Sequence, residues 1–241
     1  MKRPGELRVV FRIVIILIIL FLIACHPVIQ KLLRSQEAIY SVPIKKKLVA
    51  LTYDDGPHPV YTLQILKILE KYHVRATFFM IGNRMRQYPA LTKQVALRHV
   101  IGNHTFSHPV NIKSFSSTQI MRELNKSEDI IESITRRKTH IFRPPRGLIN
   151  TKVLTMVQNK GYQTVLWSVS ANHHDAPYPA QMAERVLKRI HPGSIILLHD
   201  GYFSERWKDV TATSIIITSL LKRGYHFVTI PELLEAGIKG K

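Results

Sequence analysis

Cysteine is almost absent from this sequence, since Cys25 is the only one among 241 residues. No disulfide can form within the chain, which excludes the small secreted scaffolds that several disulfides hold together. The same scarcity excludes a zinc finger built on cysteine pairs. Hydrophobic residues make up 45% of the chain, which is enough for an ordinary hydrophobic core and argues against wholesale disorder.

Acidic residues are also scarce. The chain has 16 Asp and Glu residues against 35 Lys and Arg residues, which gives a formal net charge of +19. Such an excess indicates either lysine-rich solubility or an anionic partner, namely nucleic acid, a membrane face or an acidic cell-surface polymer. Nucleic acid is the least favoured of these, because the basic residues are scattered without interleaved aromatic residues.

A long hydrophobic run is missing as well. The longest uncharged apolar stretch covers the thirteen residues 13–25, whereas a helix that spans a bilayer needs about 20. It follows a basic start and ends in Leu22-Ile23-Ala24-Cys25, which resembles the lipobox where bacterial lipoproteins are cleaved and lipidated. Two alternatives follow: a signal peptide with lipidation at Cys25, or an uncleaved signal anchor. Both predict a protein tethered to the extracytoplasmic face of the bacterial cell membrane.

The rest of the chain alternates between strand-like and helix-like segments. We assign residues 1–25 to the signal peptide or anchor, 26–46 to a linker, 47–236 to the main domain and 237–241 to a C-terminal tail. The alternation predicts an α/β fold with about seven parallel strands, and both an open doubly wound sheet and a (β/α) barrel fit it. The seven predicted strands cover residues 48–53, 76–81, 99–102, 140–143, 163–169, 194–199 and 226–230. Apolar residues at helical spacing predict helices between the strands, and the longest of them is predicted to begin at a capping box of Ser116 and Gln119.

The glycine-rich turn of a dinucleotide-binding fold is missing after the first predicted strand. The chain has Asp54-Asp55-Gly56-Pro57 there, and two carboxylates would repel a pyrophosphate. In a (β/α) barrel the residues that follow the strands share the C-terminal rim, where the chemistry takes place. Other polar residues in such positions are His104 and His108 after the third strand, Arg143 at the end of the fourth, and His199 and Asp200 at the end of the sixth.

The two histidines after the third strand have the spacing of metal ligands. His104 and His108 are four residues apart, so on a helical turn they would lie on one face and could chelate one cation. Asp55 would complete a set of two histidines and one carboxylate, and zinc sites of this composition leave one position open for water. Asp54 would then remain available as a base.

Four motifs in this order resemble those of the polysaccharide deacetylases of carbohydrate esterase family 4. The resemblance covers about residues 47–234, which is nearly all of the predicted main domain. It implies a deformed (β/α) barrel and the metal-dependent removal of N-acetyl groups from a polysaccharide. The motifs are TYDDGP at residues 52–57, HTFSH at 104–108, RPPRG at 143–147 and LLHD at 197–200.

The resemblance also implies a role for each matching residue. Asp54 would be the general base that takes a proton from the attacking water, and Arg143 would orient it. His199 would be the general acid that protonates the leaving amine. A divalent metal, which we take to be Zn²⁺, would activate the water. Its ligands would be Asp55, His104 and His108, and the residues lining the substrate site would be Pro145, Arg146 and Trp167.

Two motifs depart from the family pattern. Arg146 stands where the third motif usually has an aromatic residue, which changes one wall of the sugar site. The fourth motif is usually Asp-x-x-Asp-Trp, but here residues 170–175 read SANHHD, so that Ser170 replaces the first Asp and His173 falls at the second. An Asp in this motif tunes the acid histidine in the family, and Asp175 is the candidate for that role in this chain.

Together these features predict a membrane-tethered, metal-dependent enzyme that removes N-acetyl groups from the N-acetylglucosamine residues of a cell-wall polysaccharide, namely peptidoglycan. Anionic wall polymers are predicted as electrostatic partners and nucleic acid is not. One alternative is a deacetylase of a lipid-linked sugar. Another is a catalytically weakened protein that binds wall polysaccharide through the same groove. The altered fourth motif favours this last alternative, whereas the intact first, second and fifth motifs oppose it.

Overall fold

The computed structural model describes residues 38–171, 176–201 and 204–239. The predicted targeting segment, with Cys25, lies outside these residues, as do most of the predicted linker and Asp175 in the fourth motif. Within the described part of the chain, no helix is both long enough and apolar enough to cross a membrane. The described residues belong to one unit, Ala38–Lys241.

All strand pairings in the sheet are parallel, which confirms the predicted α/β class. Among the described residues, seven strands follow the order β5-β4-β3-β2-β1-β7-β6, and an eighth, β8, pairs with β1. The curved sheet is consistent with a deformed (β/α) barrel. The strands are β1 Leu48–Asp54, β2 Thr77–Met80, β3 Val100–Asn103, β4 Ile141–Phe142, β5 Gln163–Thr164, β6 Val169–Ser170, β7 Ile195–His199 and β8 His226–Val228.

One predicted strand, residues 163–169, is divided into β5 and β6. The carbonyl oxygens of Val165 and Leu166 accept hydrogen bonds from the buried guanidinium of Arg143, and the Leu166 N–H donates to the carbonyl of Ile39. These backbone groups are therefore not available for strand pairing. Because β5 pairs with β4 and β6 pairs with β7, this short stretch of chain joins the two edges of the sheet.

Helices cover the outer face of the sheet, as the predicted alternation requires. Most lie where apolar residues recur at helical spacing, but α2 was not expected, because among its six residues only Gly82 and Met85 are buried. The helices are α1 Tyr61–Lys71, α2 Gly82–Gln87, α3 Pro89–Ala96, α4 Ser117–Thr135, α5 Thr151–Asn159, α6 Pro179–Arg189, α7 Trp207–Lys222 and α8 Ile230–Lys239.

The longest helix, α4, begins at the capping box that its sequence predicts. The Ser116 hydroxyl accepts the Gln119 N–H at 3.2 Å, and the Gln119 side chain accepts the Ser116 N–H at 2.8 Å. Both backbone donors would otherwise lack partners at the helix start. The helix buries Ile120, Leu124 and Ile131 against the rest of the domain. Helix α4 also carries Glu123, which contacts the loop between His104 and His108.

The central strand β1 separates two parts of the hydrophobic core. Alternate residues of a strand point to opposite faces. Leu51 and Tyr53 pack in the cluster between the sheet and the helices, whereas Ala50 packs with Phe79 and Ile195 in a second cluster inside the barrel. Because β1 is buried on both faces, its end is a fixed position for the first motif.

The last residues of the predicted linker pack against the domain. The Ile39 N–H donates to the Thr164 carbonyl at 2.8 Å, and the Val42 N–H donates to the Gly193 carbonyl at 2.9 Å, just before β7 begins. Val42 also lies against α8, where a Cβ on Gly237 would overlap its side chain. The chain therefore enters the domain near the amino-terminal end of β7, opposite the strand ends that carry the motifs.

Candidate active site

The carboxyl ends of the strands bring the predicted site residues together. Asp54 is the last residue of β1, and its Cα is the register partner of His199 at the end of β7. His104 directly follows β3, and Arg143 directly follows β4. Residues that are 145 positions apart along the sequence, such as Asp54 and His199, thus lie side by side on one rim.

Three of these residues form a candidate metal triad. Asp55 Oδ1 lies 3.5 Å from His104 Nε2 and 3.2 Å from His108 Nε2. One ligand atom from each residue lies within 4.8 Å of the other two. Burial alone would raise the pKa of Asp55, but hydrogen bonds from the two histidines hold it well below its usual value. Two nitrogens and one carboxylate oxygen converging in this way fit a divalent cation such as Zn²⁺.

The ring of His104 is oriented by a neighbouring motif. Its Nδ1 lies 2.7 Å from the backbone carbonyl of Arg143. A carbonyl oxygen can only accept, so Nδ1 carries a proton and Nε2, which is directed at Asp55, is the ring nitrogen that could bind a cation. Histidine ligands of metals are commonly held in this way by a second hydrogen bond.

The loop that carries both histidines is held by α4. Glu123 Oε2 accepts the backbone N–H groups of Phe106 at 2.9 Å and Ser107 at 2.8 Å, and Glu123 Oε1 accepts the Ser107 hydroxyl at 2.8 Å. One carboxylate thus fixes the middle of the loop between His104 and His108. Sequence reasoning missed Glu123, because nothing in the sequence marks which α4 residue faces this loop.

The backbone around the triad is strained. Asp55, Thr105 and His108 have φ angles of 77°, 67° and 55°, in the left-handed region that non-glycine residues rarely adopt. Each such residue costs free energy, and such residues concentrate at functional sites where the surrounding structure holds them in place. Two of the three are the candidate ligands themselves.

The base candidate Asp54 is held by a fully buried arginine. Arg143 Nη1 donates to Asp54 Oδ1 at 2.7 Å and to the Thr52 hydroxyl at 2.9 Å. The other nitrogens of the guanidinium donate to backbone carbonyls, and its Cζ atom lies 4.1 Å from the centre of the Phe79 ring. With all three nitrogens engaged, Arg143 fixes the orientation of the Asp54 carboxylate.

The acid candidate His199 lies beside two charged residues that sequence reasoning missed. Its backbone N–H donates to Asp209 Oδ1 at 3.1 Å, in the first turn of α7. Arg206 Nη2 donates to Asp55 Oδ2 at 3.4 Å, and Arg206 Nη1 to Asp209 Oδ2 at 3.5 Å. Burial and the nearby Arg206 lower the pKa of His199 to about 4. The only sequence signal for this pair was an Arg and an Asp three residues apart after the fifth motif.

Comparison with known proteins identifies the family. The family model for polysaccharide deacetylases matches residues 41–165, just over half of the chain. The chain belongs to the polysaccharide deacetylase family. It is therefore a polysaccharide N-deacetylase, a hydrolase that acts on carbon–nitrogen bonds other than peptide bonds.

Individual relatives agree with this assignment. The deacetylase is 40% identical over 199 residues to the peptidoglycan-N-acetylglucosamine deacetylase of Bacillus cereus, covering 81% of this chain and 92% of the relative. It is 33% identical over 213 residues to a peptidoglycan-N-acetylmuramic acid deacetylase of Bacillus subtilis, covering 86% and 78%. A solved peptidoglycan N-acetylglucosamine deacetylase superposes with a TM-score of 0.78 at 34% identity, covering 81% of this chain and 92% of that one.

The predicted substrate wall of the deacetylase is assembled around the third motif. Trp167 packs against this motif, since a Cβ on Gly147 would lie 2.9 Å from the Trp167 ring. Pro145 is buried, whereas Arg146 is exposed and has a φ of 58°. The structure thus places Trp167 beside the third motif and exposes the Arg146 side chain at its surface.

The remaining residue of the fifth motif, Asp200, is fully buried. The Thr62 hydroxyl donates to its Oδ2 at 2.5 Å, and its backbone N–H donates to the Asp54 carbonyl at 3.1 Å. Burial raises the pKa of Asp200 to about 7. These contacts tie the fifth motif to the first and to α1. Asp175, the predicted tuning residue, lies outside the described residues, so its role stays a prediction.

Proposed function

We propose that this deacetylase removes the N-acetyl groups of N-acetylglucosamine residues in bacterial peptidoglycan. The observation that carries the proposal is that the triad of Asp55, His104 and His108 lies beside the carboxylate of Asp54. Arg143 holds that carboxylate through a hydrogen bond. This arrangement combines a divalent-cation site with a general base, which hydrolysis of an unreactive amide requires. The Bacillus relatives support the wall polysaccharide as the substrate.

The triad is proposed to hold a Zn²⁺ ion. Bound there, the ion would polarise the acetyl carbonyl and make a water molecule more acidic. The chain prepares the site in advance, because Asp55 is anionic, the Arg143 carbonyl orients the His104 ring with Nε2 towards Asp55, and Glu123 fixes the histidine loop.

Asp54 is proposed to take the proton from the attacking water. Its Oδ1 is engaged by Arg143, whereas its Oδ2 points towards the triad, 3.9 Å from His104 Nε2. The water oxygen forms a bond to the acetyl carbon while Asp54 accepts the proton. The backbone N–H of Arg146 would donate to the oxygen of the tetrahedral intermediate, and Pro145 and Trp167 would line the sugar site.

His199 is proposed to complete the reaction as the general acid. The carbon–nitrogen bond breaks when the amine nitrogen takes a proton from the His199 ring, which releases acetate and a glucosamine residue. His199 suits this step by position, since it is one strand away from Asp54 and its side chain is 24% exposed. His199 and Asp54 would thus contact the substrate from the ends of two adjacent strands.

We propose a location at the extracytoplasmic face of the membrane, where anionic wall polymers could bind a basic surface of the enzyme. Two exposed basic triplets, residues 45–47 and 136–138, lie at the amino-terminal end of the barrel, opposite the active site. Lys45 and Lys46 line one groove beside α8, and Arg137 and Lys138 line another. A surface of this kind attracts anionic lipids or anionic wall polymers. Ile39 and Val42, near the start of the described chain, also contact the domain at this end.

Mass spectrometry of defined substrates tests the proposal. Zinc-loaded protein incubated with peptidoglycan fragments and N-acetylglucosamine oligomers should release acetate and leave products that lack acetyl groups at N-acetylglucosamine. A chelator should abolish the release. Products that lack acetyl groups only on a lipid-linked sugar would favour that alternative substrate. Tight binding of fragments without acetate release would instead favour the weakened, wall-binding alternative, which Ser170 in the fourth motif supports.

A further inference from the structure

The proposed acid, His199, needs a negatively charged partner. Its ring is largely buried, and the Arg206 guanidinium nearby disfavours a second positive charge on it. In the family's fourth motif an Asp supplies the opposing charge, but Ser170 at that position cannot, since a hydroxyl carries no charge. Among the described residues, one carboxylate on another element does reach His199.

Asp209 is that carboxylate. It is 1% exposed and lies in the first turn of α7, with Oδ1 3.1 Å from the His199 backbone nitrogen and 4.0 Å from the His199 ring nitrogen Nδ1. The first contact is a hydrogen bond that fixes the end of β7. The second is within ion-pair range, so Asp209 faces both the backbone and the ring of the proposed acid.

Arg206 holds the Asp209 carboxylate in place. It is 2% exposed, and its Nε donates to the Gly201 carbonyl at 3.0 Å. One terminal nitrogen reaches Asp209 Oδ2 and the other reaches Asp55 Oδ2, at 3.5 and 3.4 Å. The guanidinium thus connects the acid side of the site with the metal triad through two buried carboxylates.

We propose that Asp209, held by Arg206, is the positioning residue that orients His199 and favours its protonated ring, in place of the carboxylate that Ser170 replaces. This inference rests on the proposed role of His199 as the general acid. Asp209 touches neither substrate nor metal in this scheme and acts only through His199. In the part of the chain that the structure describes, the other charged groups that act on His199 are Asp54 and Asp55 at the end of β1, His104 after β3 and Arg206 before α7.

The variant Asp209→Asn tests the proposal, because Asn keeps an oxygen that can accept the His199 N–H but removes the charge. With N-acetylglucosamine oligomers, kcat should fall by about 10- to 100-fold while KM stays nearly constant. Loss of the negative charge lowers the pKa of the ring, so the alkaline limb of the pH–rate profile should move about one unit to lower pH. Asp209→Glu should restore part of the activity, and Asp129→Asn, the same change at an exposed site, should have no effect.

An acetyl ester with a good leaving group separates a positioning role from a general structural one. A nitrophenolate leaves without protonation, so Asp209→Asn should slow hydrolysis of 4-nitrophenyl acetate much less than hydrolysis of the oligomer. Equal losses on both substrates, with zinc content unchanged, would overturn the proposal. An alkaline limb of the pH–rate profile that is the same in Asp209→Asn and the wild type would also overturn the proposal.

A titration that does not depend on activity distinguishes this proposal from the proposed function. NMR of the histidine rings in the zinc-loaded full-length chain, assigned with His199→Gln, gives the pKa of His199 directly. We expect the pKa to be lower in Asp209→Asn than in the wild type, whether or not acetate is released. The same pKa in both proteins would overturn the role of Asp209, whereas a shifted pKa in a protein that releases no acetate would count only against the proposed function.

Discussion

At the scale of single residues, the site depends on buried polar groups whose hydrogen bonds are made by the protein itself. Arg143 is fully buried and engages Asp54, Thr52 and two backbone carbonyls. A buried charge of this kind is stable only when it is fully paired, and removal of one partner leaves the other uncompensated. The same contacts that hold the fold therefore also set the direction of the Asp54 carboxylate.

The assignment of Asp54 as the base leads to the first prediction. Asp54→Asn keeps an oxygen for Arg143 but cannot accept a proton from water, so we expect turnover to be abolished. Zinc content should remain near one equivalent per chain, because Asp54 is not needed as a ligand. Acetate release and metal analysis of the same preparation measure both quantities. Activity close to that of the wild type would show that another group is the base.

A second residue-scale prediction concerns acid stability at His99. Burial, with help from Arg98 and Arg75, lowers the pKa of His99 to about 4, below its usual 6.5. The unfolded chain therefore binds a proton at this residue at a higher pH than the folded chain does. Stability should be lost as the pH falls from 6.5 through 4, by up to about 3 kcal/mol from this residue.

The variant His99→Asn isolates this contribution to stability. Asn can keep an acceptor for the Ala76 N–H, which His99 Nδ1 accepts at 3.3 Å, but it does not titrate. The variant should be less stable at neutral pH, because it loses the ring contact with Phe78. Denaturant unfolding between pH 7 and pH 4 should show a shallower loss of stability than in the wild type. Parallel curves would contradict the prediction.

At the scale of elements, the metal triad depends on α4 as much as on the strands. His104 follows β3 and is fixed by it, but His108 lies on a loop whose backbone donors point at Glu123. A loop with left-handed residues such as Thr105 and His108 needs such support to stay in a conformation that costs free energy. The helix thus prepares a metal site to which it contributes no ligand.

This dependence gives the third prediction. Glu123→Gln removes a charged acceptor for two N–H groups, so the histidine loop should loosen and zinc affinity should fall by about tenfold or more. Competition titration with a zinc-binding dye measures the affinity. The matched control is Glu132→Gln on the same helix, where the carboxylate is exposed and lies 4.0 Å from Lys138. Equal zinc affinities in the two variants would show that Glu123 does not support the site.

At the scale of the whole molecule, opposite ends of the barrel differ in chemistry. Every strand is parallel, so the motif residues collect at one end and the ends of the connecting helices at the other. Cations are favoured at helix carboxyl ends, and Lys71, Lys188 and Lys222 lie in such last turns. The exposed triplets at residues 45–47 and 136–138 add to this charge. These basic residues therefore lie at the end of the fold opposite the motifs.

The proposed tether gives the fourth prediction, which concerns the whole chain. If Cys25 is lipidated, one acyl chain would bind membranes only marginally, so the mature protein should start at a diacylated Cys25. Cys25→Ser should then block maturation and keep the precursor intact. If residues 9–24 form an uncleaved anchor, the variant should match the wild type. The intact mass of the membrane-extracted protein distinguishes the two alternatives. A species that starts at Met1 and carries no lipid would contradict lipidation.

Much of the fold was predictable because its signals are local. The capping box at Ser116 and the apolar spacing of α4 concern residues within a few turns of each other, and both predictions are confirmed. The division of residues 163–169 into two strands was not predictable, because it results from a side chain, Arg143, about twenty positions away. Helix α2 was missed because it buries too few residues to show a period.

The sequence by itself determined the fold class, the family and the set of candidate ligands and proton-transfer groups, because each motif is a short contiguous segment that ends a strand. Only the tertiary structure decided which other residues support them. Glu123, Arg206 and Asp209 reach their partners from helix or turn positions that look in the sequence like ordinary charged surface residues. Their contacts depend on how α4 and α7 pack on the sheet, and that packing is set by the whole hydrophobic core rather than by any neighbouring stretch of chain.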